Sequence, residues 1–313
     1  MTQTSCNELL AVCIRDPRNE LVRLECEALT GGVPDKFGVA RCERVEAIRS
    51  ACYVRIGLRT IVEAGSLEEL VELTRSADFD SIRFRVELKR LTRTVQVDRW
   101  DAMRLVADAI PDHPDMIDPI HRFMILVREG WWTLGEVLSE RLHDYRKHDR
   151  KPWRTSSSLP SQLARAIVNV VAHRTNCLAD PCCGVGSVLL EACALGIRAF
   201  GSDYNRRMVG MSRENLAFFD YDAQVSVEDA RDWRHTADAI VTDLPYGQKL
   251  AMSETDARLI MERSIQAAPV AVFVAGSNVS DWLSDAGYGD VSIFRVPKQT
   301  GFTRYVHLAE RSP

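Results

Sequence analysis

The nine cysteines of this 313-residue chain include no C-x-x-C pair, so the spacing of a thiolate zinc site is missing and no metal is expected. An odd cysteine count without a secretory signal points to reduced, buried thiols. Residues Met1 to Ser5 lack a basic region followed by an apolar stretch, and no apolar run approaches a membrane span. The protein is therefore expected to be soluble and cytoplasmic, with no membrane partner. Positive charge is scarce too. The net charge of −4 tells against a purely electrostatic nucleic-acid module and is neutral for an enzyme. A surface for a polyanion must then come from local segregation of charge. Arginine outnumbers lysine, which suits phosphate forks and equally suits surface ion pairs.

What is present is concentrated near position 245. Asp243-Leu244-Pro245-Tyr246-Gly247 follows the apolar run Ala239-Ile240-Val241-Thr242, which reads as a buried parallel strand. The acid sits at the carboxyl end of that strand, where open α/β sheets place ligands. Pro245 stiffens the turn, Asp243 offers acceptor oxygen, and Tyr246 offers a flat face for a planar base. Acceptors beside an aromatic platform suit an exocyclic amine on a nucleobase.

A second motif, Asp180-Pro181-Cys182-Cys183-Gly184-Val185-Gly186-Ser187, opens the apolar helix Val188 to Ala194. A dinucleotide fingerprint is excluded, because the third glycine position is Leu189. An acid ahead of the glycines also suits a cationic ligand better than a pyrophosphate. S-adenosylmethionine carries a sulfonium and an ammonium, and Asp180 is placed for its amino-acid end. Asp203 closes the next strand, Arg198 to Asp203, about twenty residues after the glycines, the spacing at which an acid meets ribose hydroxyls. Asp229, with Ala230 after it, closes a short strand from Val225, where an acid can accept from the adenine amine.

These motifs resemble the S-adenosylmethionine-dependent amino-methyltransferases that modify guanine N2 in RNA, and in particular the archaeal tRNA guanine-10 N2-methyltransferases. The segment Lys151-Pro152-Trp153 through Leu159 and on to Asn169 is similar to the stretch that family places ahead of its cofactor motif. Cys182 stands where the family usually has Phe. The resemblance implies a C-terminal Rossmann-like domain over 159–313 with a mostly parallel seven-stranded sheet. It also implies a ferredoxin-like α+β unit over 1–60, a THUMP RNA-binding domain over 61–140 and a linker over 141–158.

The N-terminal half carries no catalytic signature. Leu9 to Ile14 and Ala51 to Ile56 read as strands. Asn19 caps a helix ending at Gly31-Gly32, and Ser66 with Glu69 forms a capping box. Ile82 to Arg90 alternates, predicting a half-exposed strand, and Trp100 to Ile110 reads as helical. If the resemblance holds there, Arg83, Arg85, Lys89, Arg90 and Arg93 become phosphate contacts; the alternative is a solvated face with ion pairs. Trp131-Trp132 is a core pair or, less simply, a stacking platform. Arg150, Lys151 and Arg154 belong to a basic stripe in the linker, again open between backbone binding and plain solvation.

The implied reaction is methylation of a guanosine N2 amine in tRNA, with the base flipped into the pocket, Tyr246 stacking on it, and Asp243 with the Leu244 carbonyl accepting from the amine. Two alternatives remain. One is an amino-methyltransferase acting on ribosomal RNA or DNA, at guanine N2, adenine N6 or cytosine N4. The other is a non-catalytic RNA-binding relative. One or two methyl groups, a small activator subunit and the oligomeric state are left open.

Overall fold

Strand and helix signals in this chain are mostly local, and the structure reproduces them. A computed structural model describes residues 8–16, 18–245, 252–297 and 302–312. They divide into two units: Met1–Arg15, Leu29–Arg49 and Tyr53–Leu142 make the first, and Asp16–Ala28, Ser50–Cys52 and His143–Pro313 the second.

In the first unit, β1 (Leu9–Cys13), β2 (Val39–Cys42), β3 (Val54–Ala64), β4 (Phe84–Arg90), β5 (His121–Arg128) and β6 (Trp131–Glu140) form one sheet in the order β2-β1-β3-β6-β5-β4. Helix α1 (Leu21–Thr30) belongs to the second unit up to Ala28. Helix α2 (Leu67–Ser76) starts where the capping box predicts, with Ser66 Oγ accepting from the Glu69 N–H at 3.2 Å. Helix α3 (Arg99–Ala107) is the crossover between the parallel strands β4 and β5. Along β4 the alternation is as read: Phe84, Val86 and Leu88 are buried, while Arg85, Glu87 and Lys89 lie on the other side.

One boundary moves. β3 runs through residues 60 and 61, pairing with β1 from Val54 to Arg59 and with β6 from Ile56 to Ala64. A single long strand thus stitches the expected ferredoxin-like and THUMP segments into one sheet. Trp131 and Trp132 are adjacent on β6 and so take opposite faces. Trp132 packs against the core cluster that includes Phe84, Ile125 and Leu134. Trp131 packs against the cluster that includes Leu58 and Leu126, and the Arg128 guanidinium lies 4.9 Å from its ring.

The second unit contains α4 (Ser161–Ala172), β7 (Cys177–Asp180), α5 (Ser187–Ala194), β8 (Arg198–Asp203), α6 (Arg206–Phe218), β9 (Gln224–Val227), β10 (Ala239–Asp243), α7 (Glu254–Ala267), β11 (Val270–Ala275), α8 (Ser280–Asp285), β12 (Tyr288–Pro297) and β13 (Thr303–Arg311). The seven-stranded sheet runs β12-β13-β11-β10-β7-β8-β9. β7 to β11 are parallel; β13 and β12 are antiparallel additions at one edge. This is the expected Rossmann-like arrangement. The chain leaves β7 toward β8 and β9, then returns to β10 on the other side, so the strand order reverses between β7 and β10. Ligand crevices form outside the carboxyl ends of strands at such a switch.

The stretch read from sequence as a linker with a basic stripe has structure of its own. It contains a 3-10 turn, Asp144–Arg150, with Tyr145 and His148 buried in the second unit. The reason is a buried charge cluster. Glu191 on α5 accepts from Arg165 Nε at 2.8 Å and faces His148 Nδ1 at 2.7 Å, and Arg165 also reaches Asp144 at 3.0 Å. Burying these charges is tolerated only because each meets an opposite or hydrogen-bonding partner.

Candidate active site

A cavity of about 770 Å³ opens at the carboxyl ends of the second sheet, a volume suited to a small molecule. Its lining includes Asp180, Asp203, Asp229 and Asp243, so the strand-end acids singled out from sequence converge on one space. The remaining cofactor candidates, Cys182, Gly184, Gly186 and Ala230, lie in or beside the same elements; of these, Gly186 does not itself line the cavity.

Asp180 ends β7 and is buried. Its Oδ1 accepts from Thr242 Oγ1 at 2.7 Å and from the Cys182 N–H at 3.2 Å. The Thr242 bond spans the β7–β10 switch. Both bonds fall on Oδ1, which leaves Oδ2 for a ligand. Burial pushes the Asp180 carboxyl up to about 7, the two hydrogen bonds oppose that only in part, and the nearby Asp203 charge adds to it. A bound cation would relieve this cost.

Asp203 ends β8, and its two oxygens accept separately from the Gly184 N–H at 3.0 Å and the Asn205 N–H at 2.9 Å. Each oxygen keeps a lone pair for a hydroxyl donor. Burial raises its pKa, against those two bonds.

The glycine turn needs its glycines. Gly186 has φ +82°, and a Cβ there would lie 2.4 Å from Ser212 Oγ. Asn215 on α6 donates to the Val185 carbonyl at 2.8 Å and to the Trp153 carbonyl at 3.0 Å, and accepts from the Trp153 N–H at 2.8 Å. One buried amide thus ties the turn to Trp153, two residues before the segment Thr155–Ser158 that lines the cavity. Burial pushes the Cys182 and Cys183 thiols up, with Asp180 and Asp203 adding to it, which disfavours the thiolate at both positions.

Asp229 lines the cavity but also carries an internal partner. Its side chain pairs with Arg231 at 2.5 Å, and Arg231 reaches Asp256 at 2.8 Å. The Arg231 pairing lowers the Asp229 pKa. Its acceptor capacity is therefore largely engaged within the protein.

On the opposite wall, Asp243 ends β10. Leu244 turns its side chain into the core and donates its N–H to the Val274 carbonyl at 3.0 Å, and Pro245 lines the cavity. Tyr246 lies outside the described residues. Sequence reading missed Thr242 as a bridge, Asn215 as a brace, and Phe302 and Arg304 as lining residues. Asn215 and Arg304 carry no local motif that could have marked them.

The expected RNA contacts fare unevenly. Arg83 has φ +53° and is held by Asp115 at 3.2 Å and Asp118 at 2.6 Å. Arg85 pairs with Glu87. Burial, and then the neighbouring Arg55 and Arg141, bring Lys89 down to about 8. Lys151 is a clear departure: it is buried, and its Nζ donates to Ser187 Oγ at 2.7 Å, because the turn before it is drawn into the second unit. Arg90, Arg93, Arg150 and Arg154 are exposed.

Residues 148–271 match the family model described as RMKL-like, methyltransferase domain. Over that stretch the chain is similar to the RMKL-like methyltransferase domains. It is 40% identical over 118 residues to the tRNA (guanine(10)-N2)-dimethyltransferase of Methanothermobacter thermautotrophicus, covering 36% of this chain and 35% of the relative. It is 37% identical over 110 residues to the enzyme of the same name from Pyrococcus abyssi, covering 33% of each. The similarity therefore spans about a third of these curated relatives. The crystal structure of TrmN from Thermus thermophilus shares the fold, with a TM-score of 0.52 and 19% identity over 97% of this chain and 100% of that one. Among the described residues, no group of three or more His, Cys, Asp or Glu side chains is arranged to hold a metal. No helix among them is long and apolar enough to cross a membrane.

Proposed function

We propose that this chain transfers a methyl group from S-adenosylmethionine to the exocyclic N2 amine of a guanosine in tRNA. The observation that carries this reading is the convergence of Asp180, Asp203 and Asp243 around one cavity at a strand-order reversal. The similarity of about a third of the chain to relatives named for that reaction supports it.

The donor set fits the cofactor. Asp180 Oδ2 takes the cationic amino-acid end, the spare lone pairs of Asp203 take the ribose hydroxyls, and Ala230 gives an apolar contact for the base. When bound, S-adenosylmethionine supplies an electrophilic methyl group. Asp243 and the Leu244 carbonyl orient the substrate amine by accepting from it, and Asp243 takes the proton the amine gives up. Pro245 fixes the turn, and Tyr246 is the proposed stacking face for the flipped base. The N-terminal unit acts as the RNA grip of THUMP type, with Arg90 and Arg93 on phosphates; Arg150 and Arg154 do the same from the second unit. The proposed target is position 10, with a second methylation and a small activator subunit as refinements, and the compartment is the cytoplasm.

The test is transfer of labelled methyl to unmodified tRNA transcripts, followed by nucleoside analysis. N2-methylguanosine is the expected product, and Asp243→Ala should lower its formation about 10²- to 10⁴-fold while retaining cofactor binding. Label confined to ribosomal RNA or DNA would replace the substrate assignment, and absence of cofactor binding would sink the reading altogether.

A further inference from the structure

The cavity has a wall that no motif marks: Phe302 and Arg304, at the start of the last strand. Arg304 is only 7% exposed, an unusual place for a guanidinium. Register fixes where it stands. Asp243 pairs with Val274, and Val274 pairs with Val306. Paired residues share a face of a sheet, and so do residues two apart on one strand. Asp243 and Arg304 therefore project from the same face. Arg304 is two strands to the side and two residues farther beyond the carboxyl ends of the parallel strands. Strand spacing and rise put their Cα atoms roughly 12 Å apart. A purine and an extended arginine side chain bridge that gap.

The chemistry then points one way. Arginine carries five donors and no acceptor. A guanine held at Asp243 by its 2-amino group presents acceptors, O6 and N7, on its far side, whereas adenine carries an amine donor in place of O6. We infer that Arg304 is the residue that selects guanine, by donating to O6 and N7 of the flipped base. This rests on the proposed reaction at the same cavity and goes beyond it in naming the group that chooses the base.

A tRNA transcript carrying 2,6-diaminopurine at the methylated position tests this. That base keeps the 2-amino group and replaces O6 by a donor. The wild-type protein should prefer guanosine by roughly 10- to 100-fold in kcat/KM. Arg304→Met should bring the two substrates to within about threefold of each other, and Arg304→Lys, which keeps charge and donors, should retain part of the preference. A purely structural role would lower both substrates by the same factor and leave the ratio unchanged. That result, in either variant, overturns the inference and leaves the reaction standing. A wild-type protein that methylates neither transcript overturns both.

Discussion

The two sheets treat their charges in opposite ways. In the first unit, cations on the sheet and its loops are answered by carboxylates: Arg59 by Glu136 at 2.5 Å, Arg122 by Glu140 at 2.7 Å and Glu87 at 3.3 Å, and Arg83 by Asp115 and Asp118. Exposed pairs of this kind add little stability, but they leave little net field. In the second unit, Asp180 and Asp203 are answered by backbone N–H groups and one hydroxyl. Their ionisation is disfavoured until a ligand compensates it. Perturbed carboxyls in a cleft mark a functional site, whereas a neutralised surface does not. The difference locates the chemistry in the second unit.

The contrast sharpens within that unit, because a buried carboxylate away from the cavity is met by opposite charge. Glu191 is 1% exposed in its side chain and serves both Arg165 and His148. Removing it would leave the buried Arg165 guanidinium to the partly exposed Asp144. Glu191→Ala should cost about 3–5 kcal/mol, read by chemical denaturation. A loss below about 1 kcal/mol would mean that water or relaxation compensates the buried arginine, and that burial of charge here is less demanding than the geometry implies.

Asp180 should show the reverse behaviour. Its folded-state pKa of about 7 lies above the ordinary 3.8. Between those values the unfolded chain has lost the proton that the fold retains. Stability therefore falls as pH rises from about 4 to 7, by up to ~4 kcal/mol at full development. Asp180→Asn removes that slope, so the variant should melt above the wild type at pH 8 and converge with it near pH 4. Ligand affinity should move oppositely. S-adenosylhomocysteine, with its ammonium on Asp180, should bind the wild type more tightly as pH rises through 7, and Asp180→Asn should lose this dependence. Calorimetry across that range checks both signs, and a flat wild-type affinity would remove Asp180 from the cation site.

How much of this was readable beforehand follows the range of the interactions. β7, β8 and β10 end at or within a residue of the acids Asp180, Asp203 and Asp243, since a short apolar run and a terminal acid are local signals. The Ser66 cap and the β4 alternation were legible for the same reason. Lys151 was not: whether it faces solvent depends on the turn before it docking through His148 and on Ser187 coming within reach. Asp229 reads like its fellow strand-end acids, but its pairing with Arg231, which Asp256 also holds, is a contact no local motif marks. Arg304 reaches the cavity only because β13 inserts antiparallel beside β11, a pairing that no short motif encodes.

The smallest expected effect tests the neutralised side of the comparison. If carboxylate pairing silences the first unit's cations, Arg83→Ala should change tRNA affinity by less than about twofold, because its guanidinium is already engaged by Asp115 and Asp118. Arg90 and Arg93 are exposed, and among the described residues neither has a carboxylate partner. Each released phosphate contact should weaken binding a few-fold and reduce the salt slope by about 1, uniformly across tRNA sequences. Binding isotherms at several salt concentrations separate the two cases. Equal losses from Arg83→Ala and Arg90→Ala would show that RNA competes successfully for paired arginines. Charge pairing would then be a resting state of the first unit, and its apparent neutrality would say nothing about where RNA lies.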